Sequence, residues 1–130
     1  MDLKLSLDWK AQMAAQKILN AQAGELNDVE NLSTKALGVV QESGLFASLL
    51  FLLTRTREQD RKSADQIRTT LLNSAQELYA PKQRPTTKPA ELAYVTSEIC
   101  ADLQRTLLVR SLWEQTLIYT RYGAKALKKS

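Results

Sequence analysis

The chain has 130 residues, 44% of them apolar and 25% charged, which is the make-up of a single globular domain with enough Leu, Ile and Ala for a core and excludes an intrinsically disordered chain. It contains no histidine, so Ser-His-Asp and Cys-His relays, imidazole metal ligands and a neutral-pH imidazole switch are all excluded. Charge is uneven: residues 1 to 54 hold four basic and six acidic side chains, residues 55 to 130 fourteen and eight, a bias that suits a face laid against a polyanion.

Few Gly and Pro, many Ala, Leu, Gln, Glu, Lys and Arg, and no sustained alternation of β-branched residues predict an all-α fold, a single bundle of five to six helices over residues 1–130. A first helix, capped by Ser6 or Asp8, is expected to reach about Gln22 with Ala11, Ala14, Ala15, Ile18 and Leu19 inward, and Gly24 to end it. A second starts near Asn27 or Asp28 and buries Val29, Leu32, Ala36, Leu37, Val39 and Val40 before a corner at Gly44. The segment Leu45 to Leu53 is apolar nearly all round, which predicts the buried centre of the bundle, and it turns polar at Thr54.

Ser63 and Gln66 have capping-box spacing and predict a fourth helix that buries Ala64, Ile67, Leu71, Leu72, Ala75 and Leu78 and ends near Tyr79. Residues 80–89 contain every proline and three basic residues and predict an exposed loop. A short helix with Leu92, Val95 and Ile99 follows, and Asp102 is placed to cap a long last helix reaching about Leu127; the pattern leaves open whether these two are continuous.

The chemistry available to these residues is narrow. Carboxylates are scattered without a paired acid and base, the glycines stand too far apart for a phosphate loop, and neither enzyme activity, a cofactor nor a metal is expected. The single Cys100 forms no intramolecular disulfide, reads as a small buried hydrophobe, and fits a reducing, cytoplasmic compartment. The longest apolar run is too short to span a membrane, and Leu3, Leu5 and Leu7 alternate with polar residues instead of forming a signal peptide, so no membrane association is expected.

Basic residues are better ordered. Lys10 and Lys17, seven apart, fall about 700° around a helix and share a stripe. Arg55, Arg57 and Arg61 gather with Lys62 and Arg68 at the junction of the third and fourth helices, and Arg110 and Arg121 recur on one side of the last helix with Lys125 and Lys128. Such stripes are ordinary on solvated helix faces; taken together they also suit contact with a phosphate backbone, which fixes register without reading sequence. Trp9, Trp113, Tyr94, Tyr119 and Tyr122 fall at helical spacing and are expected in the core rather than as stacking platforms.

Several segments together resemble the small all-helical subunit of type III-B CRISPR effector complexes, the Cmr module. These are Leu7-Asp8 with the Ala-rich run Ala11 to Leu19, the stretch Leu37-Gly38-Val39-Val40-Gln41-Glu42-Ser43-Gly44-Leu45, the Phe51-Leu52-Leu53-Thr54-Arg55 segment, and the ending Arg121-Tyr122-Gly123-Ala124-Lys125-Ala126-Leu127. The chain departs from the family where Tyr119-Thr120-Arg121-Tyr122-Gly123 replaces a Trp-Leu-Lys-Arg-Phe type ending, and in a longer Pro-rich loop. The resemblance implies a non-catalytic subunit that stacks with further copies of itself beside other effector subunits and helps hold guide RNA and target RNA. On that reading Lys10, Lys17, Arg55, Arg57 and Arg61, then Arg110 and Arg121, are the matching nucleic-acid contacts, and base pairing supplies sequence choice. A helical protein-interaction module, adaptor or inhibitor, working through apolar surface is the alternative the residues leave open.

Overall fold

The computed structural model describes residues 3–21, 24–55, 57–78 and 85–128, and among these the chain is an all-α bundle without strands. Its helices are α1 (Leu3–Asn20), α2 (Leu26–Ser43), α3 (Leu45–Leu53), α4 (Glu58–Leu78), α5 (Lys88–Tyr94) and α6 (Leu103–Lys128), with a π-helical turn at Val95–Ile99. Among the described residues no helix is long and apolar enough to cross a membrane.

The longest buried stripe belongs to α6, and α3 is not the buried centre that its all-round apolarity predicts. Along α6, Val109, Leu112, Trp113, Thr116, Leu117, Thr120 and Ala124 recur at three and four residues and are buried. This stripe lets α6 pack on α1, α2 and α4 at once. Trp113 is 1% exposed and its indole N–H donates to the Leu71 carbonyl at 2.9 Å, so its large ring is buried with its one polar atom satisfied. The nine residues of α3 span only about 13 Å, too short to run the length of the bundle. It packs instead between α2 and α4 through Leu45, Ser48, Leu49 and Leu52, leaving Phe46 and Leu50 exposed.

Helix directions follow from the contacts at their ends. Lys128 donates to Asn27 and Glu30, and Arg110 donates to the Gln41 carbonyl at 2.9 Å, so α2 runs antiparallel to α6. Tyr119 donates to Asp8, and Leu19 fills the space beside Gly123, so α1 runs parallel to α6. Gly24 lies against Ser63 and Lys17 reaches Glu77, so α4 runs antiparallel to α1. Both α4 and α6 pack on α1 and on α2, giving the order α1, α6, α2, α4 around the bundle.

Several caps differ from expectation. The first helix already includes Leu3, and Asp8, inside it, accepts from Tyr119 and from Gln12 Nε2 at 2.8 Å, tying α1 to α6 instead of capping. That bond holds the Tyr119 hydroxyl above its ordinary pKa. The expected end of this helix at Gln22 lies outside the described residues. The second helix opens at Leu26, with Glu25 before it and without a side-chain cap; Asn27 is bonded to Lys128, and Val39 is only half-buried. Ser63 is buried inside α4 rather than starting it, because good helix formers from Glu58 to Lys62 carry the helix a further turn and bring Glu58 and Asp60 to its positive end.

Residues 79–84, with the first part of the expected loop, lie outside the described residues. The loop closes earlier than its prolines suggest, since Thr87 Oγ1 accepts from the Ala90 N–H at 3.2 Å and Pro89 sits in the first turn of α5, where its missing N–H costs nothing. The last two helices are separate. In the π turn the Cys100 N–H bonds five residues back to Val95 at 2.8 Å, Val95 and Ile99 stay inward, and Asp102 caps α6 through the Arg105 N–H at 3.1 Å, as predicted. Cys100, expected to be buried, is left exposed by this widened turn.

Two positions carry testable strain or charge. Gly44, with φ 92° and ψ −171°, occupies backbone space that is essentially closed to other residues and turns α2 into α3, its N–H bonding to Val39 and Val40. Gly44→Ala should lower the unfolding free energy by about 1–3 kcal/mol in urea titration. Arg68 and Glu91 form a buried ion contact between α4 and α5, Nε to Oε1 3.2 Å, in which neither atom has a hydrogen bond. Glu91→Ala should cost about 3 kcal/mol by the same measurement, while the pair Arg68→Met with Glu91→Leu should recover most of that loss, because it removes both charges.

Candidate nucleic-acid interface

The seven predicted cationic positions fall into three groups. Lys10 and Lys17 lie together on α1 facing α4, as their seven-residue spacing predicts, and line a groove of about 620 Å³ between the two helices. Lys17 Nζ is 3.8 Å from Glu77 Oε1, with both side chains more than half exposed, so the pair is weak. Lys10 has no acidic partner among the described residues.

Arg55, Arg57 and Arg61 stand at the α3–α4 corner. The Arg55 guanidinium lies 4.6 Å from the centre of the Phe51 ring and is half-buried there, held by the ring's electron-rich face. Arg57 and Arg61 are exposed and, among the described residues, have no acidic partner. Their side chains do not join the α1–α4 groove: with 100° per residue, Arg61 projects on the side of Arg68, which meets α5.

Arg110 and Arg121 lie on the far side of the bundle, where α6 meets α2. Arg110 donates to Glu114 Oε1 at 2.8 Å and to the Gln41 carbonyl at 2.9 Å, so it secures the end of α2. Arg121 lies over the Tyr122 ring at 5.5 Å, and its charge reaches Glu30 together with Lys125 and Lys128. The seven residues therefore form no single surface: α4 separates the first two groups and the body of the bundle separates the third.

Sequence reasoning missed the polar wall that α4 gives the groove: Gln66, Thr69, Thr70, Asn73 and Glu77, a row visible as a three-and-four spacing. Trp9, expected in the core, is 59% exposed at the groove's edge, and Tyr122 is equally exposed on α6, whereas Tyr94 and Tyr119 are half-buried. Among the described residues, no three or more Cys, Asp and Glu side chains gather where they could hold a metal ion.

In comparisons with known proteins, no family model, curated protein or solved structure matches the chain. The functional reading therefore rests on these residues and their placement.

The α2–α6 side yields a pH prediction. Hydrogen bonding to Lys128 holds the Glu30 carboxyl below its ordinary value of 4.5. A depressed carboxylate pKa contributes stability above the unfolded value and loses it as pH falls through the folded value. Lys128→Ala should bring the Glu30 titration, followed by NMR, back toward 4.5, and the stability difference from the parent chain should vanish on the acid side of that window.

Proposed function

We propose that this chain is a non-catalytic small subunit of a type III-B CRISPR RNA-guided effector complex, which stacks as a short filament with further copies of itself and contacts the guide and target RNA backbone. The observation that supports this most is the division of its cations. Arg110, Lys128 and Arg68 are spent on holding helices together, whereas Lys10, Arg57 and Arg61 have no acidic partner and flank the same helix, α4. Unpaired cations on a rigid helical frame neutralise phosphates without reading bases. The modest net charge of +4 fits a channel in which each copy covers only a few phosphates.

On this reading Lys10, Lys17, Arg57 and Arg61 meet the RNA directly, Arg55 braces the corner, and Arg110 and Arg121 serve mainly the α2–α6 contact. Cleavage and signalling belong to other subunits. The exposed Phe46 and Leu50 on α3 and Leu103 and Leu107 at the start of α6 are available to neighbouring subunits. The same four residues favour a second reading, a protein-interaction module that binds no nucleic acid.

The two readings separate in one titration of labelled, unrelated RNA sequences, with the chain alone and in the complex that co-purifies with it. Binding should be independent of sequence and fall with salt, and Arg57→Glu with Arg61→Glu should flatten the slope of log K against log salt by about 1.4, since each single-strand phosphate contact contributes about 0.7. Salt-independent affinity, or no RNA retained even in the assembled complex, would refute the RNA-binding role; partner capture that survives the double variant without RNA would support the second reading.

A further inference from the structure

The groove between α1 and α4 has a make-up that packing alone does not call for. Trp113 shows how this chain treats an indole that serves the fold, burying it with its N–H bonded. Trp9 is left 59% exposed on the groove's rim, with Met13 one turn on at 40%. An aromatic surface of this size is costly to leave in water unless something covers it.

The rest of the groove identifies what fits. Its floor is small or polar: Ala14 on α1, and Thr70 and Ser74 on α4, whose hydroxyls are bonded to Gln66 and to the Leu71 carbonyl. Thr69 and Asn73, half-buried on the α4 wall, keep their side-chain polar groups unpaired among the described residues. An amphipathic partner helix buries its stripe against a row of large apolar side chains, and here Trp9 and Met13 stand at the edge while the α4 wall offers Gln66, Thr69, Thr70, Asn73 and Ser74. A polynucleotide needs a π-face for a base, cations for phosphates and polar groups for sugar and base edges, and all three are here. Lys10 and Lys17 stand seven residues apart, about 10 Å along the axis, which is the length of roughly three stacked nucleotides at about 3.4 Å each.

We infer that the α1–α4 groove seats single-stranded nucleic acid, one base stacked on Trp9 and its backbone phosphates on Lys10 and Lys17. This rests on the RNA-binding reading above and gives the strand a place. Glu77, 3.8 Å from Lys17, competes with the phosphate for that ammonium and sets the affinity low. The groove accepts any base, because every base offers a π-face.

The two tryptophans make the test direct, since Trp113 is buried and Trp9 is the one a bound base can quench. The full chain is titrated with a ten-residue oligouridine and with a polyphosphate of similar charge, following intrinsic emission and the anisotropy of a labelled oligomer. Oligouridine should quench the emission and polyphosphate should not. Trp9→Ala should weaken oligouridine binding about five- to tenfold with the salt slope unchanged. Lys10→Ala with Lys17→Ala should lower that slope by about 1.4, and Glu77→Gln should tighten binding about twofold.

If oligouridine binds, fails to quench, and is lost on Arg57→Glu with Arg61→Glu but not on Trp9→Ala, the groove assignment falls while the RNA-binding role stands. Equal quenching by polyphosphate overturns the stacking. Emission that responds to a co-purifying protein and not to RNA makes the groove a protein contact and overturns the assignment. If neither the chain nor its complex binds oligouridine, the RNA-binding reading fails together with the groove.

Discussion

The structure depends on the burial of one stripe of α6, and within it on Trp113. A fully buried aromatic side chain removes roughly 150–250 Å² from water, worth about 4–6 kcal/mol at the usual area coefficient. That gain is kept because the indole N–H reaches the Leu71 carbonyl of α4. With α6 fixed in this way, α1 and α2 pack on its two flanks and α4 closes the bundle opposite. The polar contacts then fix register: Asp8 with Tyr119 for α1, Glu30 and Asn27 with Lys128 for α2, and Gln41 with Arg110 at the other end of α2.

This arrangement divides the basic residues by task. On the α2–α6 side, Arg110 donates to the Gln41 carbonyl and to Glu114, and Lys128 to Asn27 and Glu30, whereas Lys125 and Arg121 act on Glu30 only through their charge. Around α4 the balance differs. Lys10, Arg57, Arg61 and Lys62 lack acidic partners among the described residues, and the one ion pair in the groove, Lys17 with Glu77, is solvated and weak. A phosphate backbone meets free cations on either side of α4, Lys10 in the groove and Arg57 and Arg61 at the α3–α4 corner, whereas to engage Arg110 and Lys128 on the α2–α6 side it would have to break contacts that hold the bundle. The proposed RNA-binding role follows that asymmetry, and the exposed Trp9 gives it a groove rather than a general surface.

Local residue chemistry carried much of the fold into view. The all-α class, the Gly44 corner, the inward positions of α4 from Ala64 to Ala75 and the Asp102 cap follow from propensity, three-and-four periodicity and short-range hydrogen bonding, which act within one or two turns. Of the candidate site, the alignment of Lys10 with Lys17 was legible for the same reason, because one helix sets both positions.

What depends on packing between helices lay beyond that range. Periodicity marks Leu45 to Leu53 as apolar but says nothing of whether nine residues can run the length of a bundle whose long helices have 18 to 26. It places Trp9 and Trp113 alike on helices, yet α1 turns one toward an open groove while α6 turns the other into the core, a difference made by which neighbour each helix meets. The same holds for the cations: Arg110 meets Glu114 within one turn of its own helix, but its hold on α2 depends on Gln41, sixty-nine residues away in sequence and adjacent only once the chain has folded.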